Sequence, residues 1–132
     1  MGQPAARKGD AVVGIDTHIV LVPPAPPTPT PLPHPFSGTI TGSTVSSVKI
    51  EGAEAAVVGS TAKNDPPHIP TPPGTAFQNP PSNSGTVSSG SQTVKIGGKA
   101  AARVGDPVKT CNDPADADTS AITAGAAKVT IG

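Results

Sequence analysis

The chain has 132 residues and no net charge at neutral pH, with 14% charged residues, 2% aromatic residues and neither Trp nor Tyr. No Lys/Arg cluster stands out and almost no aromatic side chain is available to stack on a base, so nucleic-acid binding is disfavoured. The 15 glycines and 18 prolines reach a level usual for low-complexity segments, and the aliphatic residues are mostly small; a fold built from them is expected to need an added cross-link.

The first ten residues, "MGQPAARKGD", lack the apolar stretch of a signal peptide. They open with the glycine of a myristoylation signal, but Ala6 stands where Ser or Thr is preferred. The longest aliphatic run, Ile19–Val22, is far too short to span a bilayer. The expectation is a chain made in the cytoplasm without a signal peptide.

Along the chain, the segment "AARKGD" (5–10) recurs as "AAVVGS" (55–60) and "AARVGD" (101–106), at spacings of 50 and 46 residues. Between the first and second copies, Gly14–Phe36 carries an apolar lead and eight prolines and reads as a long irregular loop. Ser37–Gly52 follows, with β-branched pairs, a Ser/Gly/Thr turn and the alternating "VKIEG", the pattern of a β-hairpin. After the second copy comes another proline-rich loop, Asn64–Asn83, and then Ser84–Gly98, a hairpin ending in "VKIGG". After the third copy comes the loop Asp106–Thr119 and a last hairpin, Ser120–Gly132, ending in "KVTIG". No segment has a helical stripe; the Ala-rich pieces are bounded by glycine and too short for a stable helix.

These elements predict one all-β domain over residues 1–132, made of three pseudo-repeats. The register is circularly offset: the C-terminal strand is expected to lie beside the N-terminal segment and complete its unit, closing a pseudo-threefold object without open edges. The three loops then occupy equivalent positions and emerge on one face.

Every His and Cys of the chain falls on those loops. His18 and His68 each lie nine residues after the repeat glycine, and Cys111 lies six after it; His34 stands at the far end of the first loop. A histidine in a proline-rich loop is commonly just exposed, and one cysteine is commonly inert packing. Four potential ligands with none left over instead match the closed tetrahedral set of structural zinc. Such a site is worth roughly 10–16 kcal/mol in finger peptides, enough to offset a thin core. A small zinc hydrolase remains an alternative, but it needs an open coordination position and a nearby general base, and Glu51 and Glu54 sit by a strand instead. A disordered proline-rich linker is the other.

Further residues have plainer readings. Asp113, Asp116 and Asp118 miss the spacing of an EF-hand loop and read as solvated. Phe36 and Phe77 are expected to pack on strands, and Lys49 and Lys95 to point outward.

The "PAAR" of Pro4–Arg7, the three Ala-Ala/Gly units, the Val-x-Ile-x-Gly strands and the His3Cys set together resemble the PAAR-repeat family over essentially the whole chain. The resemblance implies a cone that caps and sharpens a trimeric VgrG-type spike, one copy per trimer, in a contractile injection apparatus. It implies structural Zn2+ near the apex on His18, His34, His68 and Cys111, hairpins forming the base, and no enzymatic activity. It also implies passing contact with a target membrane, possible effector cargo and outward delivery with the spike. The middle unit departs from the motif, with Glu54, Val57 and Ser60 in place of Pro, Arg and Asp. Since the hairpin repeat runs to Gly132, no effector extension is expected within these residues.

Overall fold

The computed structural model describes residues 2–132, and among these the chain is all-β, with no helix. In chain order the strands are β1 (Gln3–Pro4), β2 (Ala11–Val22), β3 (Thr28–Gly42), β4 (Val45–Ile50), β5 (Ala53–Ala55), β6 (Thr61–Asn64) and β7 (Ala76–Phe77). They continue with β8 (Ser84–Val87), β9 (Lys95–Ile96), β10 (Lys99–Ala100), β11 (Pro107–Thr110), β12 (Ala117–Ile122) and β13 (Thr130–Ile131). The proline content does not produce a disordered linker.

Three backbone segments meet at the centre. Ala6 N–H donates to Ala102 O, Ala102 N–H to Ala56 O, and Ala56 N–H to Ala6 O, each at 3.0 Å. The peptides close a ring, one from each Ala-Ala segment. A second set runs the opposite way around: Lys8 N–H to Glu54 O at 2.8 Å, and Val58 N–H to Ala100 O and Val104 N–H to Pro4 O at 2.9 Å. Backbones approach this closely only where side chains are small, and all six alanines of the pairs have no exposed surface. Successive side chains of an extended chain point to opposite sides. Each pair therefore gives one methyl to a cluster containing Val12, Phe36 and Ile40, and the other to a second cluster containing Ile50 and Ile131.

Each segment leaves the ring through a turn at Gly9, Gly59 or Gly105, with φ of 94°, 96° and 94°, a conformation costly for any residue with a Cβ. In the first turn Asp10 Oδ2 accepts the Arg7 N–H at 2.7 Å, while the Arg7 guanidinium folds back on the same carboxylate at 3.2 and 3.1 Å. Arg103 and Asp106 repeat this arrangement. These hydrogen bonds also raise the pKa of each guanidinium. In the middle unit Ser60 Oγ accepts the Val57 N–H and donates to Ser43 O, both at 2.9 Å. Arg and Asp thus serve the turn itself, and a hydroxyl replaces them where they are missing.

On one side of the ring lie three two-stranded arms. β4 pairs with β5 and β9 with β10, both antiparallel. Their turns, Glu51-Gly52 and Gly97-Gly98, have positive φ at both residues, the geometry that suits two-residue hairpin turns. The third arm is β1 paired with β13, Gln3 opposite Ile131. The expected hairpins are therefore repartitioned: two Val-x-Ile strands pair across a glycine-containing turn with the segment that leads into the Ala-Ala pair, the third joins the two ends of the chain, and the strand upstream goes elsewhere.

Those upstream strands build the other side. β12, β11, β8, β6, β3 and β2 pair in that order, and β12 also pairs with β2, closing a barrel-like cone. β2 and β3 run on well past the shorter strands, with β7 paired to β2 at Val20 and Leu21. Gly14–Phe36 is thus mostly hairpin rather than irregular loop. Pro29, Pro31, Pro33 and Pro35 sit opposite Leu21, Ile19, Thr17 and Ile15. Occupying every second position, they put their missing N–H groups on the edge away from β2, where no ladder bond is lost. The residues between them, Thr30, Leu32, His34 and Phe36, face inward. Among the described residues, no helix is long and apolar enough to cross a membrane.

Adding bulk on the axis should be felt by all three segments at once. Ala56→Val is expected to cost about 1–3 kcal/mol in thermal or urea unfolding, whereas Ala115→Val at an exposed position should leave stability nearly unchanged.

Candidate metal centre

The inward row of the β2–β3 hairpin supplies three polar side chains. Asp16 and His18 are two residues apart on β2 and so share a face, and His34 on β3 is registered opposite Asp16. His68 enters from the loop after β6, and Cys111 directly follows β11. All are buried: Asp16 is fully enclosed, and His18, His34 and Cys111 are at most 3% exposed.

The three imidazoles form a triangle, with centroids 5.3 Å apart for His18–His34, 5.0 Å for His18–His68 and 5.6 Å for His34–His68. Phe77 lies against His18 and His34, and Phe36 against His68, so an apolar shell keeps water out. The donor atoms of Asp16, His18, His68 and Cys111 all lie within 4.8 Å of one another. His18 Nε2 is 3.6 Å from Cys111 Sγ, the thiol is 3.5 Å from Asp16 Oδ2, and His68 Nε2 is 2.9 Å from the same oxygen. Around a tetrahedral zinc, bond lengths of about 2.0–2.3 Å set neighbouring donors about 3.3–3.8 Å apart. Two pairs match that spacing, and the third is somewhat short because His68 shares a hydrogen with Asp16. The set could hold a metal ion.

His34 is held differently. Its Nδ1 lies 2.9 Å from Leu32 O and its Nε2 accepts the Thr71 N–H at 3.1 Å, so both ring nitrogens meet backbone. Burial lowers its pKa, partly opposed by the Leu32 carbonyl. Of the residues expected from sequence, His18, His68 and Cys111 converge; His34 stands beside them in the triangle.

Asp16 was not legible as a member. Its Oδ1 accepts from Thr110 Oγ1 at 2.5 Å and Thr119 Oγ1 at 3.1 Å. Reading Gly14–Phe36 as a strand would have exposed the signal, because Asp16 and His18 then share a face. His68 is fixed through Asn64, whose carbonyl accepts the Ser37 N–H at 2.8 Å and whose amide nitrogen lies 3.2 Å from His68 Nδ1. Asp113 also departs from its solvated reading: its side chain is 10% exposed and Oδ2 accepts the Ile19 N–H at 3.0 Å. Asp116 and Asp118 are exposed.

Burial, and then the neighbouring Asp16, pushes the Cys111 thiol pKa up. The folded, metal-free chain keeps this proton where the unfolded chain has lost it. Its stability is therefore full below the ordinary thiol pKa of about 8.5 and should fall as pH rises through that value toward the raised one. Urea titrations of the chelated protein across this range should show the decline, and Cys111→Ala should lessen it.

The family model of the PAAR motif matches residues 77–132. No curated protein matches the chain. The matched stretch holds the third Ala-Ala turn with its Arg103–Asp106 fork, the Val-x-Ile strands ending at Gly98 and Gly132, and Cys111. The "PAAR" of Pro4–Arg7 lies outside it but builds the same turn, down to the guanidinium closing on a carboxylate. The likeness to the PAAR-motif family is shown over residues 77–132.

Proposed function

We propose that this chain is a structural tip protein, not an enzyme. It caps and sharpens the trimeric VgrG-type spike of a contractile injection apparatus, whether a type VI secretion system, a phage tail or a phage-tail-like injector, and helps its point breach a target membrane. The observation that carries this reading is the ring at the centre. One chain presents three quasi-equivalent arms about a single axis, which lets a monomer meet a threefold partner. The PAAR match is consistent with a spike-tip protein. The pairing of β1 with β13 supports treating residues 1–132 as one domain of three circularly offset pseudo-repeats.

The apex would carry structural Zn2+ on His18, His68 and Cys111, with Asp16 as the fourth ligand. His34, the fourth ligand read from sequence, would take that place only by giving up its contact with Leu32 or Thr71. When bound, zinc supplies a cross-link between β2, the loop after β6 and the end of β11, strands that otherwise hold the point through small side chains. Four protein ligands would leave no position for a reactive water, which is why a hydrolase is the weaker reading. Assembled on the spike, the chain would travel outward with it, with or without effector cargo.

Native mass spectrometry of the chain co-expressed with a trimeric VgrG-type spike should give one copy per three spike subunits, with one zinc. Three copies per trimer, or no association, would contradict the capping role. Zinc-edge absorption should count one sulfur and two imidazoles; three imidazoles would assign the fourth position to His34.

A further inference from the structure

Among the described residues, one buried side-chain polar atom has no hydrogen-bond partner: Nδ1 of His18. It faces Asp113 Oδ2 at 3.4 Å, while Nε2 of the same ring faces Cys111 Sγ at 3.6 Å. We infer that Asp113 is a positioning residue for His18, selecting the tautomer that leaves Nε2 free to bind the ion.

A neutral imidazole carries one N–H. With the hydrogen on Nδ1, the N–H lies on the side of the Asp113 carboxylate, whose oxygen 3.4 Å away attracts it without a formed hydrogen bond, and the Nε2 lone pair is left for the cluster beside Cys111 Sγ. With the hydrogen on Nε2, the Nδ1 lone pair is set against the oxygen lone pairs of Asp113, in a site 1% exposed where water cannot intervene. The first arrangement is favoured, and it is the one a metal ligand needs. Histidines that bind metal generally donate their other N–H to a carboxylate or carbonyl.

Asp113 is well held for this task. Its N–H donates to Thr17 O at 2.8 Å, Oδ2 accepts the Ile19 N–H at 3.0 Å, and the adjacent Asn112 Oδ1 accepts the Thr17 N–H at 2.6 Å. These contacts fall on β2 between its pairings with β12, which reach Gly14, and with β7, which begin at Val20. Two side chains of the loop after Cys111 thus stand in for a missing neighbour strand, and this fixes the carboxylate beside His18. The same loop carries a proposed ligand at Cys111 and the residue orienting another.

The inference deepens the zinc reading, and two readouts separate them. In the chelated protein, long-range 15N–1H correlation spectra should show His18 as the Nδ1–H tautomer. Asp113→Ala should shift it toward Nε2–H and weaken zinc binding, measured by chelator competition, by about 10–100-fold. Asp113→Asn retains an acceptor for both Ile19 N–H and His18 and should lie between the two on each readout, which a loss of loop structure alone would not produce. An Nε2–H tautomer in the unsubstituted chain, or an unchanged tautomer in Asp113→Ala, would overturn the inference. Failure of the unsubstituted chain to bind zinc would overturn the metal reading and leave the tautomer test of Asp113 standing.

Discussion

Three alanine peptides hydrogen-bonded in a closed ring at 3.0 Å set the terms for the rest of this molecule. A ring that small admits no side chain larger than a methyl on either side, hence the paired alanines in every unit. It forces the chain to leave the axis sharply, hence glycine at positive φ three times over. It also sends the two methyls of each pair to opposite sides, so the core is two thin clusters joined through the ring. The arms belong to one cluster and the closed cone to the other.

The far end of the cone faces a different problem. There the longer strands of the other two units have stopped, and the β2–β3 hairpin continues with the short β7 beside it. Proline at alternate positions stiffens β3 and removes donors from its exposed edge, which guards against pairing with another chain. Into the remaining space the fold places polar groups: a fully buried aspartate, three imidazoles and a thiol. Burying such groups is costly unless they are paired or coordinate a cation, and the donor spacing suits a cation. The proposed ion would complete at the tip what the ring does at the centre, binding segments distant in sequence at one point.

Much of this was legible in the sequence because the repeat fixes local chemistry. Ala-Ala followed by Gly-Asp, and Val-x-Ile before a glycine turn, each encode one conformation. The all-β class and the convergence of His18, His68 and Cys111 could be read from those regularities. What misled was proline. Its density at 23–35 suggested an irregular loop, although its spacing of two in Pro29–Pro35 is the spacing of a strand whose outer edge needs no donors. That missed period concealed Asp16 beside His18 and the position of His34 across from it. The roles of Asn112 and Asp113 were beyond reach from sequence, since they depend on β2 lacking a neighbour at Thr17–Ile19. The pairing of hairpins was misjudged for a similar reason: local pattern identifies strands, while the choice of partner follows from closing the ring and the cone.

Native-state hydrogen exchange bears most directly on the ring as the organising constraint. The amides of Ala6, Ala56 and Ala102 should exchange only through global unfolding, together and at the slowest rate in the chain, both before and after chelation of zinc, relative to each sample's own unfolding free energy. If any of the three exchanges through local opening, faster than the β2–β3 ladder, the ring is not what holds the fold together and the account fails at its centre.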